Sequence, residues 1–212
     1  MGLIKNGILD GFSGKVGTVV GGSWRGKNVM RAKPTKRKNA NRTDKQIDHR
    51  AKFTVATQFL QSMKDLLELT YRNYAVGKTG ANSALGHTLR NAITGEYPDY
   101  RIAYDKAMIS RGSLLPALGG KATAGAAGII QFTWDNTADI LNARKDDQVL
   151  MVLHYPELNI TMYKIGAPRS AGSDSFTVPG LSGKVVQTWI SFLTADAKDV
   201  SSSVYSGEVG VT

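Results

Sequence analysis

The spacing of hydrophobic and polar positions changes twice along this chain. Residues 1–34 are punctuated by eight glycines, and between them lie Val16, Val19, Val20, Trp24, Val29 and Met30. These short runs read as a β-hairpin with its turn near Gly26, closed by Pro34, which has no N–H to give to a ladder. A two-stranded unit this rich in glycine buries too little side chain to stand alone, so it must lean on another surface.

A basic polar connector, residues 35–42, follows. Thr43 with Gln46 then has the spacing of a capping box. Ile47, Ala51, Val55, Phe59, Met63, Leu66 and Leu67 recur every three or four residues and predict one helix reaching about Asn73. Phe53 and Leu60 widen the apolar stripe, which predicts burial on more than one side. A second helix is expected over about Asn82–Thr94, with Leu85, Leu89 and Ile93 inward.

Beyond Pro98 the period becomes two. Strands are expected at 101–109, 129–134, 148–155, 160–165, 175–178, 185–193 and 203–211, separated by turn residues such as Pro156-Glu157 and Pro179-Gly180. Residues 119–128, nearly all Gly and Ala, read as a connector. Seven short strands without helical pattern predict an antiparallel sandwich. With no cysteine an immunoglobulin disulfide is excluded, and fibronectin type III is the nearer pattern. Trp134 would be its central tryptophan, faced by Trp189 or Phe192. The fold class is therefore α+β: an N-terminal β-hairpin plus two helices over 1–98, then an all-β Ig- or fibronectin-III-like sandwich over 99–212.

Composition adds one fact to this outline. The 212 residues carry a net charge of +10, and residues 1–52 alone, with 13 Lys+Arg against 3 Asp+Glu, carry all of the excess. Such asymmetry points to a polyanionic partner or to a solvated basic face. The start lacks the pattern of a secretory leader, and no window has the length of apolar sequence that spans a bilayer, so a cytoplasmic location is expected, or a particle assembled there.

Gly11-Phe-Ser-Gly-Lys-Val-Gly-Thr-Val-Val-Gly21, Trp24-Arg-Gly-Lys27 and Val29-Met-Arg-Ala-Lys-Pro34 resemble the opening of an uncharacterised bacterial family of unknown function, abundant in Bacteroidota-type genomes. Gln46, Arg50-Ala-Lys-Phe53 and Val200-Ser, Ser203-Val-Tyr and Gly207 extend the resemblance along the chain. It implies a basic hairpin-and-helix region before a fibronectin-like part, and it carries over no catalytic or ligand-binding residue.

The residues offer little to catalysis. Ser13-Gly14-Lys15, Gly77-Lys78-Thr79 and Ser182-Gly183-Lys184 look like phosphate loops, but Leu9, Arg72 and Val178 stand where the Walker pattern needs its first glycine. His49, His87 and His154 are scattered, and Asp135, Asp139 and Asp146-Asp147 fall in turns, where such residues cap backbone. No enzyme, cofactor, metal site or small-molecule substrate is expected. Trp24, Arg25, Lys27, Arg31, Lys33, Lys36, Arg37, Lys38 and Arg42 are the candidates for contact with a polyanion or nucleic acid, where an exposed Trp beside cations can stack on bases. Val16, Val19, Val20, Val29 and Met30 are the candidates for contact between subunits of a homo-oligomer. Self-assembly is the primary expectation, and nucleic-acid binding through Arg25–Lys52 is the alternative.

Overall fold

A computed structural model of the chain describes residues 2–4, 11–24, 26–34, 43–136 and 140–212. These form two compact units, Met1–Thr43 and Asp44–Thr212. The boundary expected at 98 falls inside the second unit, because its helices share a core with its largest sheet: Phe59, Leu60, Met63, Leu67 and Ala84 pack with Leu150, Val152, Trp189 and Leu193.

The first unit is an antiparallel meander of four strands, β1 (Gly2–Ile4), β2 (Phe12–Val16), β3 (Val19–Trp24) and β4 (Lys27–Ala32), rather than a lone hairpin. Its turns use Gly17 at φ 58° and Gly26 at φ 78°, a left-handed conformation that glycine adopts without strain. The expected β3–β4 hairpin is present, and Lys33 N–H donates to Thr18 O at 2.7 Å beyond the last strand pair.

The second unit opens with α1 (Asp44–Gln61), α2 (Lys64–Thr70) and α3 (Gly80–Asn91). The single helix expected to run to Asn73 is broken at Ser62-Met63. There the Ser62 hydroxyl donates to Phe59 O at 3.0 Å, and Met63 N–H bonds back only three residues to Leu60 O. Ile47 and Phe53 are exposed, so burial on more than one side fails for the first half of α1. The buried side of α3 consists of Gly80, Ser83, Ala84 and Thr88, with the expected Leu85, Leu89 and Ile93 only half-buried. A Cβ on Gly80 would stand 2.2 Å from Leu67 O, so α3 approaches α2 on small residues.

A short ribbon, β5 (Ile93–Thr94) with β6 (Arg101–Ile102), follows. The strand expected over 101–109 stops there and passes into a 3-10 turn at Tyr104–Lys106. The carbonyls of Ala107, Met108 and Ile109 are met by side chains instead of a ladder: Trp189 Nε1, Tyr71 Oη and Thr70 Oγ1 donate to them. The segment is pinned between helix and sheet rather than laid into a ladder.

The remaining strands are β7 (Lys121–Ala124), β8 (Ile129–Thr133), β9 (Gln148–Tyr155), β10 (Ile160–Pro168), β11 (Ser173–Thr177), β12 (Val185–Leu193) and β13 (Val204–Gly210). They form two sheets, β7-β8-β11 and β10-β9-β12-β13, which is the strand arrangement of a fibronectin type III sandwich. The small-residue connector of 119–128 thus contains a strand, β7, hidden by alanines that have weak β preference. The two central strands of the β10-β9-β12-β13 sheet, β9 and β12, are covered on both faces. Val149, Met151, Leu153, Ile190 and Phe192 face the three-stranded sheet, while Leu150, Val152, Trp189 and Leu193 face the helices.

Trp134 is met by Phe192 at 5.7 Å in an edge-on contact. Trp189 lies on the other face, among Phe59, Tyr104 and Tyr205. Beneath Trp134 runs the fully buried Arg169. Its guanidinium sits 3.7 Å from the Phe192 ring centre, its Nε lies 3.4 Å from Asp147 Oδ2, and its carbonyl accepts Trp134 Nε1. Removing one partner of a buried ion pair leaves the other charge uncompensated. Asp147→Asn is therefore expected to lower unfolding free energy by about 3–5 kcal/mol, measured by urea denaturation at neutral pH.

Candidate functional site

Two places in the molecule gather chemistry, one in each unit. In the first unit, residues paired across an antiparallel ladder project to the same face. Gly21↔Met30, Val19↔Ala32 and Val16↔Val19 place Val16, Val19, Met30 and Ala32 together. Phe12 joins them, its ring lying over Gly21, where an added Cβ would stand 2.7 Å from it. Val20↔Arg31, Trp24↔Lys27 and Lys15↔Val20 define the opposite face, with Lys15, Val20, Trp24, Lys27, Val29 and Arg31. Lys33, two residues after Arg31 in an extended segment, continues it.

The register therefore divides the expected contact valines. Val16, Val19 and Met30 come together, but Val20 and Val29 lie among the cations. Met30 is 72% exposed and Trp24 56%, and within the described part of this sheet only Gly21 is buried. Sequence reasoning missed Phe12 and Lys15 because it anticipated two strands and not the third that aligns them. Arg25, Lys36, Arg37, Lys38 and Arg42 lie outside the described residues.

Other motifs resolve into structural roles. Thr79, the hydroxyl of one phosphate-loop lookalike, is the N-cap of α3 and accepts from Asn82 N–H at 3.1 Å. Asp147 caps its turn by accepting from Arg144 N–H at 2.9 Å while facing Arg169. Among the described residues no cluster of His, Asp or Glu has the arrangement of a metal site, and no helix is long and apolar enough to cross a membrane.

The second place is a cleft of about 650 Å³ in the second unit, lined by Gln58 and Phe59 of α1, by Tyr100, Arg101, Ile102 and Tyr104, and by His154, Pro156 and Asn159. His154 ends the inner face of β9 and packs edge-on to Phe59 at 5.1 Å. Thr161 Oγ1 ties it to the end of α1, standing 2.7 Å from Ser62 Oγ and 3.0 Å from His154 Nδ1. The other ring nitrogen, Nε2, has no hydrogen-bond partner among the described residues.

Burial pushes the His154 imidazole down to about 4. Its neighbours Phe59, Tyr104 and Thr161 bring no charge that would oppose this. Tyr100, at the rim, donates to Asp48, which also pairs with Lys52 at 3.0 Å, and the Lys52 ammonium lies 4.9 Å from the Tyr100 ring centre. These two bonds, Tyr100's first, hold the Asp48 carboxyl below the usual range.

The chain belongs to a family of unknown function, DUF6266, whose model matches residues 11–207. Among solved structures it is similar to the fn3 domain of the human collagen alpha-1(XX) chain, at 12% identity and a TM-score of 0.35, over 49% of this chain and 90% of that one. No curated protein matches it.

A neutral imidazole that must stay neutral makes stability depend on pH. The unfolded chain binds a proton near 6.5 that the folded chain refuses until about 4, so the contribution of His154 is complete above pH 6.5 and shrinks as pH falls toward 4. At pH 4.5 the loss is expected to be about 2–3 kcal/mol. His154→Gln removes this titration, so urea unfolding at pH 7 and 4.5 should show a smaller drop for the variant than for the native chain. His87, whose imidazole burial also pushes down, is common to both and cancels.

Proposed function

We propose that this is a non-enzymatic, self-assembling structural protein, of the kind that builds phage-like or mobile-element particles in bacteria, with its N-terminal sheet as the contact module. The observation that carries the reading is the two-faced register of that sheet. Phe12, Val16, Val19, Met30 and Ala32 share one face, while Lys15, Lys27 and Arg31 share the other. Two copies stacked apolar face to apolar face, about 10 Å apart as packed sheets are, would hide the hydrophobic side chains and turn the cations outward on both outer surfaces. Strand addition along β4 is the poorer route. Pairing two β4 edges would bring Lys27 and Arg31 of each copy close to those of the other, and charged edges of this kind oppose such pairing.

The full chain is expected to run as a dimer or larger species in size-exclusion chromatography with light scattering. Met30→Glu combined with Val16→Glu should return it to monomer while the melting of the Asp44–Thr212 unit stays unchanged. A monomeric native chain would defeat the proposal.

A second reading rests on Trp24 standing among the cations of the outer face. Trp134 and Trp189 are buried, so exposed Trp24 is the natural fluorescence reporter for single-stranded nucleic acid. Four phosphate contacts, from Lys15, Lys27, Arg31 and Lys33, predict a slope of about −3 for log K against log salt. A flat response with oligo(dT) would remove this reading.

A further inference from the structure

The cleft around His154 has a ligand chemistry of its own, and it stands apart from the assembly reading because every group that forms it belongs to the second unit. An aromatic cluster backs it: Phe59, Tyr104 and His154 lie 5.1–5.9 Å apart, ring centre to ring centre, with Phe59 and His154 buried and Tyr104 half-buried. Two polar atoms without a full set of bonds belong to this cleft. One is His154 Nε2, without a partner among the described residues. The other is Asn159 Oδ1. Asn159 sits at φ 51° in the β9–β10 turn, and its amide nitrogen donates to Gln58 O at 2.7 Å, which leaves its oxygen free of that bond. At the rim, exposed Arg101 makes no ion pair with the described residues, and Tyr100 is tied in place by Asp48.

Each feature narrows the ligand. The half-buried Tyr104 ring accepts a flat, partly apolar face. Asn159 Oδ1 needs a donor, and His154 Nε2 needs a donor or an acceptor according to its tautomer; a hydroxyl serves both, which an aromatic acid lacking hydroxyls would fail to supply. An unpaired guanidinium at the rim suits a carboxylate, which it can grip with two parallel bonds. The volume lies within the range of small-molecule sites, about 300–1,000 Å³.

The geometry points to an acidic saccharide: a uronic-acid ring whose C–H face lies on Tyr104, whose hydroxyls pair with His154 Nε2 and Asn159 Oδ1, and whose carboxylate meets Arg101. Isothermal titration calorimetry of the full chain with trigalacturonate tests this, with neutral cellotriose as comparator. Saturable binding of the acidic sugar is expected, roughly tenfold tighter than of the neutral one, and Arg101→Ala should erase that difference. Arg101 is exposed, so this variant keeps its fold. Asn159→Ala should weaken both sugars.

The acidic probe could instead meet the basic N-terminal sheet. Lys27→Ala with Arg31→Ala separates the two sites and should leave binding unchanged. Absence of binding overturns the proposal. So does binding that survives Arg101→Ala intact, or binding that is lost with Lys27 and Arg31.

Discussion

The second unit depends on two paired strands that are dry on both sides. Strands β9 and β12 pair side by side, and along each of them successive residues alternate between two separate cores. Leu150, Val152 and Trp189 close the contact with the helices, and Met151, Leu153, Ile190 and Phe192 close the sandwich. A one-residue slip in this pairing would exchange the two sets of side chains at once. The register is thus fixed from both faces, and helices and sandwich become one body.

That constraint also explains where the cleft lies. His154 stands where the inner face of β9 reaches the end of the strand, under the cover given by Phe59 and Tyr104. The hairpin turn beyond it brings Asn159 onto α1, and the break in α1 at Ser62 supplies the hydroxyl that orders Thr161 and, through it, the imidazole. A helix continuing unbroken to Asn73 would offer no such relay. The local irregularity and the polar site share one cause, a serine that bonds to its own helix backbone.

The N-terminal sheet obeys a different logic. It has the hydrogen bonds of a sheet without an interior, since its one described buried residue is a glycine under the Phe12 ring. Its alternation does not sort residues into inside and outside but into two surfaces, one apolar and one cationic.

Much of this was written in the chain order of residues. The boundaries of β9 and β12 coincide with the runs read at 148–155 and 185–193, because both runs are dense in β-branched, aliphatic and aromatic residues. The confinement of positive charge to the first 52 residues is likewise a property of sequence. Tertiary structure decided the rest. It alone made β7 a strand, because alanines gain a ladder only when β8 is there to pair with them. It held 107–109 extended without a strand, because Trp189, Tyr71 and Thr70 supply bonds from elements distant in sequence. And it made a cleft of His154, Arg101 and Asn159, residues with no common spacing, which meet only where a helix, a turn and a strand end converge. Sequence shows periods within an element, whereas a site between elements depends on how they pack.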